Sequence, residues 1–269
     1  NLMLKKLEFD ENDFKKIFEY CKKINIEFMS TPYSLKDVDF LDSLGVNAFK
    51  LSSMHLSEPY FIKYVLKKNK PLILSTGMSS LKDINFILNC IKNEKNKQII
   101  LLHCTTDYPT KTVDINLLGI SSLKKKFNKL VGFSDHSKDN MASIMSIALG
   151  SCLIEKHFTL NKNNKGPDHS SSLDPKEFSE LIIEAKKASN TLGSSVLKLT
   201  NSEKTNAKIM KRSIVISNDI LKGKKITKDD IICKRPAGGL EPKYFEKLIG
   251  KRIKKNLKKN SYIFLKDVF

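Results

Sequence analysis

A short apolar segment returns roughly every 20–30 residues, and the stretches between are amphipathic. The six segments are Ile26–Ser30 (IEFMS), Ala48–Ser52 (AFKLS), Pro71–Ser75 (PLILS), Gln98–Cys104 (QIILLHC), Leu130–Ser134 (LVGFS) and Cys152–His157 (CLIEKH). Each is too short for a helix and mostly aliphatic or β-branched, as a strand buried on both faces should be. Between them, Phe14, Ile17, Phe18 and Cys21 share one helical face, as do Met141, Ile144, Met145 and Ala148. Asp174-Pro175-Lys176-Glu177 opens a further helix, with an N-cap, a first-turn Pro and a capping-box Glu. Phe178, Leu181, Ile182 and Ala185 are its expected inner face. Strand–helix alternation of this kind means an α/β fold with a parallel sheet, either doubly wound or closed as a barrel.

Polar residues choose between the two. No GxGxxG follows any segment, which weighs against a dinucleotide fold. Instead the segments end in hydroxyls, His, Lys or Asp: Ser30-Thr31-Pro32, Lys50 to Ser53, Ser75-Thr76-Gly77, His103-Cys104-Thr105, Ser134-Asp135-His136 and His157-Phe158-Thr159. A (β/α)8 TIM barrel builds its active site at such ends. The six units then read as strands 3 to 8, with the first two strand–helix units lacking. The chain begins without Met and as if already inside a helix, so an N-terminal truncation is expected. The partial barrel spans residues 1–188. Residues 189–211 are polar and read as a linker. Residues 212–269 alternate short apolar runs (SIVIS, IIC, YIF) with turn signals and read as a small β-rich domain.

Of the 269 residues 40% are hydrophobic, enough for a sizeable core. No apolar run reaches the roughly 18–20 residues of a membrane span. The net charge of +19 suggests a polyanion. However, Arg212, Arg235 and Arg252 are the only arginines, and the lysines are scattered as on a solvated surface. Nucleic-acid readers lean on Arg for bidentate contacts, so neither nucleic acid nor membrane is the expected partner. Five widely spaced cysteines without a CxxC fit a reducing, cytoplasmic compartment rather than a disulfide framework.

The motifs STPYS, FKLSS, PLILSTGMSS, LLHCTTDYPT, GFSDHS, EKHFT and GPDHSSSL occur in the order and spacing of a known group. The chain resembles the sialic acid synthase family, which makes N-acetylneuraminate and its legionaminate and pseudaminate relatives. KRSIVIS, RPAGGLEP and LIGKRI resemble its C-terminal SAF (antifreeze-like) domain. The resemblance implies a transferase that condenses phosphoenolpyruvate with an N-acetylated hexosamine, usually N-acetylmannosamine, and releases phosphate. It implies a divalent metal, Mn2+ or Mg2+. It also implies a domain-swapped homodimer in which each SAF domain covers its partner's barrel mouth.

The implied site residues fall on the strand ends. His136 and His157 follow consecutive strands, whose ends lie roughly 5 Å apart, and match the family's metal ligands. An ion with two protein ligands keeps positions open for water and the sugar aldehyde, and can act there as a Lewis acid. On spacing alone, two such histidines are structural more often than not. Asp135, between Ser134 and His136, is either an orienting partner of a ligand or a buried turn acid.

Lys50 is the one charged residue in its apolar segment, where an unpaired charge is costly. Its family counterpart binds phosphoenolpyruvate. Thr31, Ser53, Ser75 and Ser134 match the hydroxyl contacts to the same ligand, although a lone strand-end Ser is by default a turn residue. Tyr108 and Asp168 match sugar contacts. Arg212 matches a guanidinium that reaches the N-acetyl group across the dimer.

The chain also departs from the family. His55 stands where most members have an acidic residue linked to proton transfer, a role His can fill near its ordinary pKa of about 6.5. Thr106 replaces a common Asn. The absent strands would carry a Glu, a Lys and an Asn of the family's site, so the barrel as given is expected to stay open. A non-catalytic sugar-binding or regulatory protein that keeps the fold is the alternative function.

Overall fold

The computed structural model describes residues 8–96, 98–166 and 168–269; Pro167 of the GPDHSSSL motif lies outside the described residues. The chain divides into two compact units after Gly193.

Among the described residues the first unit holds five strands: β1 (Phe49–Leu51), β2 (Leu72–Ser75), β3 (Ile99–Cys104), β4 (Leu130–Asp135) and β5 (Ile154–Lys156). All are parallel, and each pairs with the next in chain order. A doubly wound sheet must reverse its order at a switch point, and this one does not. The order therefore selects the barrel-like winding.

Helices α1 (Glu11–Lys23) and α2 (Leu35–Leu44) precede β1. Then α3 (Pro59–Leu66), α4 (Leu81–Cys90), α5 (Leu118–Phe127), α6 (Met141–Ala148) and α7 (Pro175–Leu192) each follow one strand. Every residue of β2 is buried, as the apolar run required. Phe49, Leu51, Leu74, Leu101, Val131 and Phe133 carry the core across the sheet.

Three sequence expectations change. Ile26–Ser30 forms no strand. Only Phe28 of that segment packs on the core, while Ile26 and Met29 are exposed. One buried side chain does not fix a ladder register. Phe28 instead meets Phe14 and Phe18 of α1 edge-on, so the α1 face read from the sequence does pack.

The second change is in α6, which buries Ala142, Ser143 and Ser146 and turns Met141 and Met145 outward. A buried carboxylate explains this: Ser143 donates to Asp135, and a charge there needs its donors more than the core needs a methionine. The third change is in α7. Its capping box is present, with Glu177 N donating to Asp174 at 2.9 Å and Asp174 N to Glu177 at 3.0 Å. Leu181 is buried as expected, but Ile182 is exposed.

In the second unit, the polar stretch read as linker contains α8 (Asn201–Met210). A Thr200–Glu203 capping box starts it, and it buries no residue, which is why it carries no apolar pattern. β6 (Ser213–Ile216) and β7 (Ile231–Lys234) form an antiparallel pair. Single bridges such as Val215 to Tyr262 and Ile253 to Val268 add the remaining runs. Ile214, Ile216, Ile226, Leu248 and Ile263 form a second, separate core.

Candidate active site

Strand alternation assembles the site at the C-terminal ends of β1 to β5. Ser134 is the register partner of Glu155, and Asp135 of Lys156. Successive side chains point to opposite faces. Ser134, Glu155 and the following His136 and His157 thus face one side, and Asp135 and Lys156 face the other.

On the site side, Lys50 reaches across β2. Its Nζ donates to Ser75 Oγ at 2.9 Å and pairs with Glu155 Oε2 at 3.2 Å. Ser134 Oγ donates to Glu155 Oε1 at 2.6 Å. Lys50 is therefore not an unpaired buried charge, and its cluster joins four strands, β1, β2, β4 and β5. Ser53 sits next to it, accepting from Gly77 N at 2.9 Å and lying 3.9 Å from Cys104 Sγ. Burial pushes the Cys104 thiol up, so it stays protonated at neutral pH.

The two imidazoles come together. The His136 and His157 ring centroids are 5.4 Å apart, and Tyr108 covers both at 4.2 and 5.5 Å. His136 Nδ1 lies 2.8 Å from the Thr105 carbonyl, which can only accept. The ring proton is therefore on Nδ1, and Nε2, 3.4 Å from Ser134 Oγ, keeps its lone pair. Burial pushes the His136 pKa down, against the pull of that bond, and keeps the ring neutral as a metal ligand must be. An ion ~2.1 Å from each nitrogen in tetrahedral geometry sets two ring centroids about 5 Å apart, so this pair fits a shared ion. Among the described residues no group of three or more His, Cys, Asp or Glu converges on one point. An ion held here would have two of the described side chains as ligands.

The other expected residues are placed unevenly. Tyr108 has its phenol pushed up, first by burial and then by nearby acidic groups, Asp168 among them. The backbone carbonyl of Asp168 is also used, accepting from Ser171 and Ser172 hydroxyls at 3.1 and 2.7 Å. Thr31 is half-buried and makes no side-chain hydrogen bond to the cluster among the described residues. His55 is only 2% exposed and lies between the Tyr33 and Phe61 rings. Among the described residues neither ring nitrogen has a hydrogen-bond partner, and Glu58 Oε2 lies 3.6 Å from Nδ1. Arg212 belongs to the second unit, where its guanidinium donates to the Cys233 carbonyl.

Asp135 is buried at the end of β4. It bonds Lys156, Ser143 and Ser137 N on the face away from the histidines. Glu155 is a site residue that the sequence reading did not single out. It nevertheless carries a signal: it is a charged residue in an apolar segment, the same feature that marks Lys50.

A model of the NeuB family matches residues 1–197, and one of the SAF domain matches residues 211–268. The chain belongs to the NeuB family. It is 40% identical to the N,N'-diacetyllegionaminic acid synthase of Campylobacter jejuni over 97% of this chain and 79% of that protein. It is 38% identical to the pseudaminic acid synthase of the same organism, over 90% of this chain and 70% of that protein. The N-acetylneuraminic acid (sialic acid) synthetase of Leptospira borgpetersenii, solved in complex with citrate, superposes with a TM-score of 0.72 at 31% identity. That match covers 76% of this chain and 71% of that one. This NeuB-family chain carries its five described parallel strands as a curled half-barrel. No helix among the described residues is long and apolar enough to cross a membrane.

Proposed function

We propose that this protein condenses phosphoenolpyruvate with an N-acetylated hexosamine, N-acetylmannosamine or a close relative, to give a nonulosonic acid and phosphate. One observation carries the reading. A lysine–hydroxyl–carboxylate cluster and a pair of adjacent imidazoles share the same end of one sheet. The first suits an anionic enol phosphate and the second a divalent ion. The named relatives make nonulosonic acids, which supports the product class. The sheet is read as the later part of a (β/α)8 barrel.

The chain's own residues divide the work as follows. Lys50, with Ser75 beside it, holds the phosphate end, and Ser53 and Thr31 complete that end of the rim. Tyr108 and Asp168 hold the sugar, and Arg212 of a partner copy reaches its N-acetyl group in a domain-swapped dimer. His136 and His157 hold Mn2+ or Mg2+, which when bound polarises the sugar aldehyde. The enol carbon forms the new carbon–carbon bond to the aldehyde carbon. Water then adds at the neighbouring carbon, and phosphate leaves by carbon–oxygen cleavage. Glu155, held between Lys50 and Ser134, is the carboxylate placed to take the proton that the water gives up.

The test is phosphate release from phosphoenolpyruvate across a panel of N-acetylated hexosamines with Mn2+ supplied. Turnover with at least one sugar is expected, and Lys50→Met should abolish it. No release with any sugar overturns the reading. A second reading, sugar binding without turnover, is favoured by His55, a buried imidazole in place of the family's acid, whose nitrogens make no hydrogen bond among the described residues. It predicts saturable sugar binding with no phosphate released.

A further inference from the structure

We propose that the buried Asp135–Lys156 ion pair is a clamp that positions His136 and His157. The pair plays no part in the chemistry above. Both side chains are 1% exposed, and Lys156 Nζ lies 3.0 Å from Asp135 Oδ2. Burying two charges is expensive, and a well-packed apolar pair is often as stable. Simple stability is therefore a weak reason for this pair to be here.

Its register supplies a better one. Asp135 and Lys156 face each other directly across β4 and β5. Each is the residue immediately before one of the two histidines. Alternation sends the histidines to the opposite face, so the bridge locks from behind the backbone positions from which both rings project. A slip of one residue would exchange the two faces of a strand, putting a charge into the site and a histidine against the helices.

Further bonds fix the clamp on all sides. Lys156 Nζ also donates to the Ser137 and Asp139 carbonyls at 2.6 and 2.9 Å, tying β5 to the turn beyond His136. Asp135 accepts from Ser137 N at 2.8 Å and from Ser143 of α6. His136 is thus held by residues on either side of it, both bound to Lys156. The Thr105 bond then sets its ring orientation. Parallel strands this short have few ladder bonds of their own, since only three register pairs join β4 to β5.

The proposal rests on the two-histidine ion site, and the experiment separates the two. Mn2+ binding to the intact protein is measured well below the melting temperature for wild type, Lys156→Met, and the milder double variant Asp135→Asn/Lys156→Met. Histidine 15N spectra are recorded on the same proteins without metal. The expected result is Mn2+ binding about 10- to 100-fold weaker in both variants. The expected spectra show one sharp set of His136 and His157 signals in wild type, and shifted or doubled signals in the variants. Unchanged spectra in a variant overturn the clamp, whatever Mn2+ does. So does unchanged Mn2+ affinity in a variant that only melts earlier, provided His136→Ala abolishes binding. If His136→Ala leaves Mn2+ binding intact, the ion-site reading fails instead, and the metal-free spectra still decide the clamp. If Lys156→Met does not fold, the double variant, which strands no charge, decides in its place.

Discussion

Gly77 is the point where the site leaves no room for a side chain, and Gly77→Ala follows as a sharp test. Its backbone N–H donates to Ser53 Oγ at 2.9 Å. A Cβ built there would lie 2.8 Å from the same Ser53 Oγ and 3.2 Å from Cys104 Sγ, and would also collide with Thr106 Oγ1. Thr106 is exposed and can swing away. Cys104 is buried, and Ser53 cannot withdraw without leaving Gly77 N–H unpaired. Overpacking of this kind costs about 1–3 kcal/mol. For a unit of this size each kcal/mol lowers the melting temperature by about 2–4 °C, so a fall of about 2–12 °C is expected. The assay is thermal unfolding followed by circular dichroism, run on Gly77→Ala, Ser53→Ala and the double variant. Ser53→Ala removes the obstructing oxygen, so the double variant should lose less than the sum of the singles, by about 0.5–1.5 kcal/mol. A Gly77→Ala protein that melts with wild type, or strict additivity with Ser53→Ala, refutes the close approach.

Two further outcomes follow. Glu177 has its carboxyl held below the usual 4.5, first by the Lys162 ammonium and then by the Asp174 backbone N–H. A depressed folded pKa gives stability that is present above pH 4.5 and is lost as pH falls through the folded value. Glu177→Gln should therefore melt earlier than wild type at pH 7, and the gap should close in acid; a constant gap from pH 7 to pH 3 contradicts this. In the second unit, the nearly buried Asp230 accepts from Thr227 N at 2.9 Å, Thr227 Oγ1 at 2.8 Å and Lys224 Nζ at 2.6 Å. Asp230→Ala leaves the Thr227 donors unpaired and should destabilise that unit by about 1–3 kcal/mol, most of it from Thr227 because Lys224 is half-exposed. Urea unfolding with no change in midpoint would show that the cap is dispensable.

Much of the site is legible from local pattern. Lys50, Ser75, Ser134, His136, His157 and Tyr108 all fall at or just beyond strand ends, and the structure brings them to one rim. Glu155 carries the same signal as Lys50, but it stands two residues before His157, whose ligand chemistry is the stronger mark in that segment. Thr31 and Arg212 rest on motif position alone. Within the described residues the first makes no bond to the cluster, and the second lies in a separate unit bound to Cys233.

The sequence by itself determined the strand–helix alternation, the capping boxes and the strand-end positions of the polar residues, because those depend on spacings of a few residues. Only the tertiary structure decided which face each element buries and which charges meet. Ile26–Ser30 has the composition of a strand but lacks a buried face, and so takes no place in the sheet. Met141 and Met145 have a helical apolar pattern, yet α6 buries Ser143 because Asp135 lies beneath it. The Lys50–Glu155 and Asp135–Lys156 pairs join residues 105 and 21 positions apart, fixed by which strand lies beside which and in what register. No local spacing encodes that. It arises when the sheet closes its ladders and every charge carried inside must find a partner.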